Sequence, residues 1–281
     1  MRLTGRRGAA ALAAGLALLS ACAPAPDLAG DVPPEVPTRA AVEGVPLIQQ
    51  EDFYCGPAAL AMVMQWSGQD VTQEQIAALS FSPGADGTYL ADMIGAARRQ
   101  GQLAVNVEGF GAVLEEVAAG HPVIVFQNLS LPVAPRWHYA VVVAYDMPRE
   151  QVVLHSGELD RVTMSLDLFG RTWRRGDFWA LAVLPPDTLP ASPDQWSILE
   201  AAAALEQVEQ FAAAETAYAR GGAEWPGNWI WWFGLGNARY AKGDLTGARR
   251  AFERAAAADP SVPEVQNNLA QVRRELAAAG S

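Results

Sequence analysis

The stretch from Gln49 to Trp66 reads Q-Q-E-D-F-Y-C-G-P-A-A-L-A-M-V-M-Q-W and has Cys55 at its centre. After this cysteine, apolar side chains recur at helical spacing, and the alanines between them are good helix formers. Gly56-Pro57 suits the first turn of a helix, because proline is best tolerated there, where its missing N–H leaves no donor unpaired. The pattern predicts a helix that begins at Cys55.

A thiol at this place is a candidate nucleophile. The N-terminus of a helix is the positive end of its dipole, so it favours the thiolate and lowers the pKa of the thiol. Gln49, six residues upstream, can place a side-chain amide where an oxyanion develops during acyl transfer. Taken alone, the stretch is equally typical of a small buried cysteine on an apolar helix.

Two further features favour the nucleophile. The chain has two cysteines, Cys22 and Cys55. If Cys22 carries a lipid at the N-terminus of an exported protein, it cannot form a disulfide, and Cys55 is then an unpaired thiol. A histidine, His138, stands at the start of W-H-Y-A-V-V-V-A-Y over residues 137–145, and this apolar run predicts a strand.

The pattern Q-x5-C-G-P-A-A-L-A-M followed by H-Y-A-V-V-V resembles the papain-like cysteine peptidases of the bacteriocin-processing, double-glycine type, over about residues 45–184. The resemblance implies that Cys55 is the nucleophile, that His138 is the general base and acid, and that Gln49 helps to form the oxyanion hole. It also implies an α+β fold, in which a helical lobe bears the thiol and an antiparallel sheet bears the histidine.

The periodicity predicts the same architecture for a domain over residues 42–184. Helices are expected from Cys55 to about Trp66 and after an N-cap at Thr72. Further helices are expected over residues 88–100 and 111–119, and strands over residues 103–107, 122–126, 138–145, 151–155, 161–164 and 178–183.

The third catalytic position departs from the family pattern. The resembled peptidases carry an Asp or Asn at the end of the strand that follows the histidine strand, and here Ser156 falls near that place, beside His155. A serine orients His138 only weakly, because it lacks the charge that stabilises an imidazolium. Glu158 and Asp160 lie just beyond and could fold back. The sequence therefore favours an active Cys-His dyad over a fold kept with reduced activity.

The other histidines have plainer interpretations. His121, in Gly120-His121-Pro122, is expected to be a turn residue, and His155 is expected to be structural or to lie at the rim of the site. The histidines and cysteines do not have metal-ligand spacing, and a glycine-rich phosphate loop is absent from the sequence. We therefore expect neither a metal nor a cofactor.

Residues 1–21 have the pattern of a secretory signal peptide, with Arg2, Arg6 and Arg7 before an apolar run. The following Leu-Ser-Ala-Cys is similar to a lipobox, which implies that Cys22 is lipidated and anchors the mature protein in a membrane. The alternative is an ordinary signal peptide with an incidental cysteine. By analogy with Gram-negative lipoproteins, Ala23 after the cysteine implies the outer membrane, facing the periplasm.

The mature chain is acidic and has two foldable parts. The net charge is −11, and without the three signal arginines it becomes −14, which argues against nucleic acid as a partner. Residues 22–41 are rich in proline and lack periodicity, so they are expected to form an extended tether. Residues 185–194 have the composition of a linker.

Residues 195–281 contain a repeat of thirty-four residues, in which Ala214, Tyr218 and Pro226 are matched by Ala248, Phe252 and Pro260. The period and register resemble the tetratricopeptide repeat, with small residues at 236 and 248 that let paired helices approach. The alternative is a generic alanine-rich helical hairpin. Such short solenoids bind peptides or partner proteins on their concave face.

The sequence thus predicts a membrane-anchored cysteine peptidase that hydrolyses peptide bonds in an exported peptide or protein, with repeats that bind the substrate or a protein partner. One alternative is a scaffold lipoprotein that is catalytically weak or inactive and acts through its repeats. Another is acyl transfer to an amine instead of water.

Overall fold

The computed structural model describes residues 26–279 except 52, 83, 85, 86, 158 and 193. The expected signal peptide, Cys22 and the first residues of the expected tether lie outside the described residues. Five helices belong to the first domain: α1 Cys55–Trp66, α2 Gln73–Ser80, α3 Leu90–Arg99, α4 Gly109–Ala118 and α5 Leu166–Arg174.

A single antiparallel sheet forms the centre of this domain. Its strands are β1 Arg39–Ala41, β2 Leu103–Asn106, β3 Val123–Asn128, β4 Trp137–Asp146, β5 Gln151–Ser156, β6 Leu159–Ser165 and β7 Ala180–Leu184. Six strands lie in the order β2-β7-β3-β4-β5-β6, and β1 pairs with the end of β4. The longest strand, β4, therefore lies in the interior of the sheet and carries His138.

Helices cover both faces of the sheet. On one face α1, α2 and α3 pack against Tyr139, Val141 and Val143, and on the other α4 and α5 pack against Ala140 and Val142. Because β4 is buried on both faces, its sequence is a continuous apolar run and not an alternation. This α+β arrangement confirms the predicted fold class.

The N-terminal part of the structure differs from the predicted tether. Leu28 and Val36 are 4% and 9% exposed and belong to the core that α4 and α5 cover, and residues 39–41 form β1. Burial of these two side chains holds the segment against the domain. For residues 26–41 the prediction of a free, extended tether is therefore wrong.

Helix α5 was not predicted from the sequence. Its stretch, L-D-L-F-G-R-T-W-R, is only nine residues long and mixes charged with apolar residues. The Ser165 hydroxyl accepts a hydrogen bond from the Leu168 N–H and caps the helix, and the buried Trp173 donates from its indole N–H to the Trp179 carbonyl at 2.8 Å. Burial of aromatic side chains stabilises this short helix, which helix propensity alone does not predict.

The C-terminal part consists of stacked helical pairs. Its helices are α6 Gln195–Gln207, α7 Phe211–Glu224, α8 Trp229–Ala241, α9 Leu245–Ala258 and α10 Pro263–Ala279. Gly236 of α8 lies directly against the Phe252 ring of α9, which leaves no room for a Cβ atom. This is the close approach that the repeat register predicts.

The two domains share a core. Leu103 and Val105 of β2 pack against Ile198 and Leu199 of α6. The Gln210 side chain donates to the Arg99 carbonyl at 2.8 Å. The repeats are therefore joined to the edge of the sheet by apolar contacts as well as by the chain. In the part of the chain that the structure describes, each helix is too short or too polar to cross a bilayer.

Candidate active site

Cys55 is the first residue of α1, as the sequence predicts, and is partly buried. The backbone N–H groups of Tyr139, Gly56 and Cys55 itself are directed at the thiol. Tyr139 immediately follows His138 on β4, so the thiol lies against the strand next to the histidine. The Tyr139 hydroxyl donates to the Thr88 carbonyl at 2.9 Å, which joins this strand to the loop before α3.

Gly56 permits the close approach of this loop to the start of α1. A Cβ atom at this position would lie 3.0 Å from the Thr88 Cβ, which is tighter than most real contacts of a Cβ atom. The glycine after the cysteine therefore has a packing role, besides opening the helix.

His138 is 8% exposed, and its Nε2 lies 2.8 Å from the Ser156 Oγ. Ser156 is the last residue of β5, which pairs with β4, so two neighbouring strands hold the imidazole and the hydroxyl. The structure thus brings Ser156 to the place where the resembled family has a carboxylate or amide. Its catalytic role remains a prediction.

The ionisation of the site differs from the sequence-based expectation. Burial raises the pKa of the Cys55 thiol, and the N–H groups of Tyr139, Gly56 and Cys55 only partly offset this. Burial, with a smaller contribution from the positive charge of Arg136, lowers the pKa of His138 to about 4. The expected lowering of the thiol pKa is therefore wrong in direction, because desolvation outweighs the helix N-terminus. At neutral pH the pair rests as thiol and neutral imidazole.

The segment that carries Gln49 is held by a residue that was not predicted. Gln73, 8% exposed at the start of α2, donates from Nε2 to the Gln49 carbonyl at 3.1 Å. Its Oε1 accepts from the Glu51 N–H at 3.3 Å. Gln73 therefore fixes the backbone that leads to Cys55. The Gln49 side chain is exposed, and its part in an oxyanion hole remains a prediction.

The remaining histidines have partners of their own. His155 is buried, and its Nε2 lies 3.1 Å from the Asp160 Oδ1. Asp160 thus folds back onto His155 and not onto His138, whereas Glu158 lies outside the described residues. His121 follows α4 and pairs through Nδ1 with the buried Glu116 carboxylate at 2.7 Å.

Exposed apolar side chains stand in the segments next to the site. Phe53, two residues before Cys55, is 60% exposed, and Trp137, next to His138, is 50% exposed and stacks on Phe126. Tyr89 adjoins Thr88 and is 60% exposed. We refer to these three exposed side chains, which lie close in sequence to the site residues or to the Thr88 loop, as the aromatic rim. The sequence carries no signal for it beyond the aromatic residues themselves.

Models of known families match both the N-terminal and the C-terminal part of the chain. The model of the Peptidase C39 like family matches residues 42–159, and a tetratricopeptide repeat model matches residues 205–272. The chain belongs to the peptidase C39-like family. Both the peptidase family and the repeat family that the sequence motifs indicate are thereby confirmed.

The C39-like chain is similar to proteins from archaea and bacteria. An uncharacterized protein of Methanothermobacter thermautotrophicus is 30% identical over 127 residues, which cover 44% of this chain and 80% of that protein. A solved C39-like peptidase from Bacillus anthracis is 19% identical with a TM-score of 0.43, covering 52% of this chain and 97% of that one. The peptidase domain of Streptococcus ComA, a bifunctional ABC transporter, is 22% identical with a TM-score of 0.42, covering 50% and 99%.

Proposed function

We propose that this protein is a cysteine peptidase that works through a Cys55–His138 dyad. The observation that carries the proposal is the hydrogen bond between the His138 Nε2 and the Ser156 Oγ. It fixes the ring by one nitrogen and leaves Nδ1 for the thiol, which lies against the neighbouring residue Tyr139. A nucleophile, a base and a group that orients the base form the pattern of covalent acyl transfer.

The resting state determines how the reaction begins. Since both groups are neutral, the Cys55 proton moves to the His138 Nδ1 as the sulfur attacks the peptide carbonyl. The Cys55 backbone N–H and the Gln49 amide stabilise the oxyanion. As the C–N bond breaks, the imidazolium gives its proton to the leaving amine. His138 then deprotonates a water that cleaves the thioester, which releases an acid and restores the thiol.

Other parts of the chain support our proposals for the substrate and the location. An exposed aromatic rim at Phe53 and Trp137 favours a peptide with apolar side chains. The signal-like residues 1–21 and the lipobox-like sequence before Cys22 support a protein that is anchored by lipid at the cell envelope, at the outer membrane facing the periplasm. The repeats then bind the substrate or a protein partner.

One observation favours a second candidate function. Ser156 carries no charge, and the pKa of His138 is low, so the imidazolium needed during the reaction is poorly stabilised. The uncharged surroundings of His138 are consistent with a protein that keeps the peptidase fold but acts as a binding scaffold through its repeats.

Peptide cleavage distinguishes the two candidates. The chain lacking residues 1–22 is incubated with a diverse mixture of synthetic peptides, and new termini are identified by mass spectrometry. A peptidase produces new termini with the unmodified chain and none with Cys55→Ala. If the two samples match, and if an activated peptide ester leaves no acyl group on Cys55, the scaffold function is the correct one.

A further inference from the structure

A cavity of about 480 Å³ lies at the junction of the two domains. Its walls come from α3 and the β2–α4 segment of the peptidase domain, from the linker, and from α6 of the repeats. None of Cys55, His138 and Ser156 lines it. Ligand pockets of proteins commonly have this volume and lie between domains.

Arg98 of α3 brings an uncompensated positive charge to this cavity. Its Nε atom is buried without a hydrogen-bond partner, and the side chain forms no ion pair with any residue that the structure describes. Burial lowers the pKa of Arg98, and no nearby carboxylate offsets this. A guanidinium does not deprotonate in proteins, so the charge of the half-buried Arg98 remains and favours an anion beside it.

Three other arginines of the chain have acceptors within the protein. Arg239 pairs with Glu215 at 2.9 Å, and Arg273 pairs with Glu253 at 3.1 Å. The neighbour Arg99 donates to the Leu79 carbonyl at 2.7 Å. Arg98 differs from these residues because it lines the cavity and its Nε atom has no protein acceptor in the part of the chain that the structure describes.

Two carboxylates line the outer part of the same cavity. Glu108 and Glu200 are exposed, and in the part of the chain that the structure describes neither forms an ion pair or a side-chain hydrogen bond. Asp194, by contrast, already accepts from the Trp196 and Ser197 N–H groups as the N-cap of α6. The cavity thus combines a half-buried cation with free anions nearer to solvent.

We propose that this cavity binds a short peptide with free ends, its carboxylate on Arg98 and its ammonium group near Glu108 and Glu200. The guanidinium fork matches a carboxylate with two parallel hydrogen bonds. A phosphate dianion is disfavoured, because it would meet several carboxylates beside a single cation. Since both domains form the walls, the bound peptide also stabilises their contact. The assignment does not depend on the activity of Cys55.

The test uses trialanine as the probe and the chain lacking residues 1–22 with Cys55→Ala, so that cleavage cannot interfere. Isothermal titration calorimetry compares trialanine with its C-terminal amide, its N-acetyl form and inorganic phosphate. We expect trialanine to bind at submillimolar concentration, the amide at least tenfold more weakly and the acetyl form several-fold more weakly, since each loses one charge. Trialanine should also raise the unfolding temperature.

The matched variants are Arg98→Met and Arg250→Met, the second being an exposed arginine of α9 without an acidic partner in the described chain. We expect Arg98→Met to abolish binding and Arg250→Met to leave it unchanged. Without ligand, Arg98→Met should unfold at the same or a higher temperature, because it removes a half-buried charge that has no ionic partner in the described chain.

The proposal is overturned by no binding of trialanine at millimolar concentration, by equal binding of acid and amide, or by phosphate binding as tightly as the peptide. Equal binding by a folded Arg98→Met variant would do so as well. If that variant does not fold, the comparison of acid with amide on the parent protein decides.

Discussion

At the scale of single residues, the proposed dyad consists of two groups that burial keeps uncharged. His138 is tied to an uncharged Ser156, and burial holds its pKa at about 4, while burial raises the pKa of Cys55. A carboxylate in place of the serine would reverse both effects, because an anion beside the ring stabilises the imidazolium, and the imidazolium stabilises the thiolate.

If the proposed peptidase activity is correct, Ser156→Asp should therefore make the reaction faster. We expect this change to raise the pKa of His138 and to increase the rate of Cys55 acylation by about tenfold or more, which corresponds to about 1.4 kcal/mol. The rate is measured with an activated peptide ester at neutral pH. Ser156→Ala is the control and should slow the reaction, because the ring loses its hydrogen bond. A slower Ser156→Asp enzyme with an intact fold would contradict this role for position 156.

The pKa of His138 also predicts how stability depends on pH. The histidine is neutral in the folded state down to about pH 4, whereas in the unfolded chain it is protonated below 6.5. Stability is therefore fully present above 6.5 and falls as the pH is lowered towards 4, by on the order of 3 kcal/mol from this group.

Urea unfolding from pH 7.5 to 4 measures this loss. His138→Gln should lose less stability than the parent across the same window, while His155, whose pKa is also lowered by burial, contributes equally in both proteins. Parallel curves for the two proteins would show that His138 is not neutral in the folded state.

The sequence indicated the members of the site but not their ionisation. Cys55 and His138 stand in local motifs, so a single stretch of chain identifies each, and the place of Ser156 follows from its position at the end of a strand. The pKa of a thiol depends on how deeply the whole fold buries it, and a local sequence motif does not show this burial. The helix dipole predicted the opposite direction, because it is only one contribution to that pKa.

At the scale of elements, α1 and β4 carry the two residues of the proposed dyad, and neighbouring elements position them. The start of α1 is fixed by the bond of Gln73 to the segment before Cys55, and the boundaries of α1 and β4 agree closely with the predicted ones. Gln73 and α5 were missed for a common reason. Their roles depend on contacts with distant parts of the chain, which periodicity does not reveal.

Gln73→Ala should loosen the approach to the thiol. It removes two hydrogen bonds to the backbone of residues 49–51, and we expect a loss of about 1–3 kcal/mol in the free energy of unfolding. The rate constant for acylation of Cys55 should fall by a larger factor than the factor by which the KM for the ester changes. Gln75→Ala, which affects only the cap of α2, is the control and should leave the acylation rate unchanged. Equal rates for all three proteins would show that the segment does not need Gln73.

At the scale of the whole molecule, the repeats cover an edge of the sheet. Leu103 of β2 is fully buried, and it packs in the same cluster as Ile198 and Leu205 of α6. The expectation of two domains left open whether they pack together. Periodicity identifies each domain separately. Their contact depends on apolar residues of β2, which the sequence does not distinguish from residues in the core of the peptidase domain.

A chain that ends at residue 194 should therefore be less stable and less soluble than the full one. It exposes the apolar side chains of β2 at the sheet edge, which is a template for aggregation. Sedimentation and urea unfolding measure the effect, and Leu103→Lys in the shortened chain should restore solubility. A shortened chain that is monomeric and equally stable would show that the repeats do not support the peptidase domain.

Acylation of Cys55 tests the central claim most directly. The chain lacking residues 1–22 is mixed with an activated peptide ester from pH 5 to 9, and the acyl-enzyme is followed by intact mass. A neutral dyad predicts that a single acyl group forms on Cys55. At pH 7 it should form more than tenfold faster than in His138→Ala. The rate should not fall until the pH approaches the low pKa of His138. Equal rates in the two proteins, or an unreactive Cys55, would contradict the assignment of a cysteine peptidase.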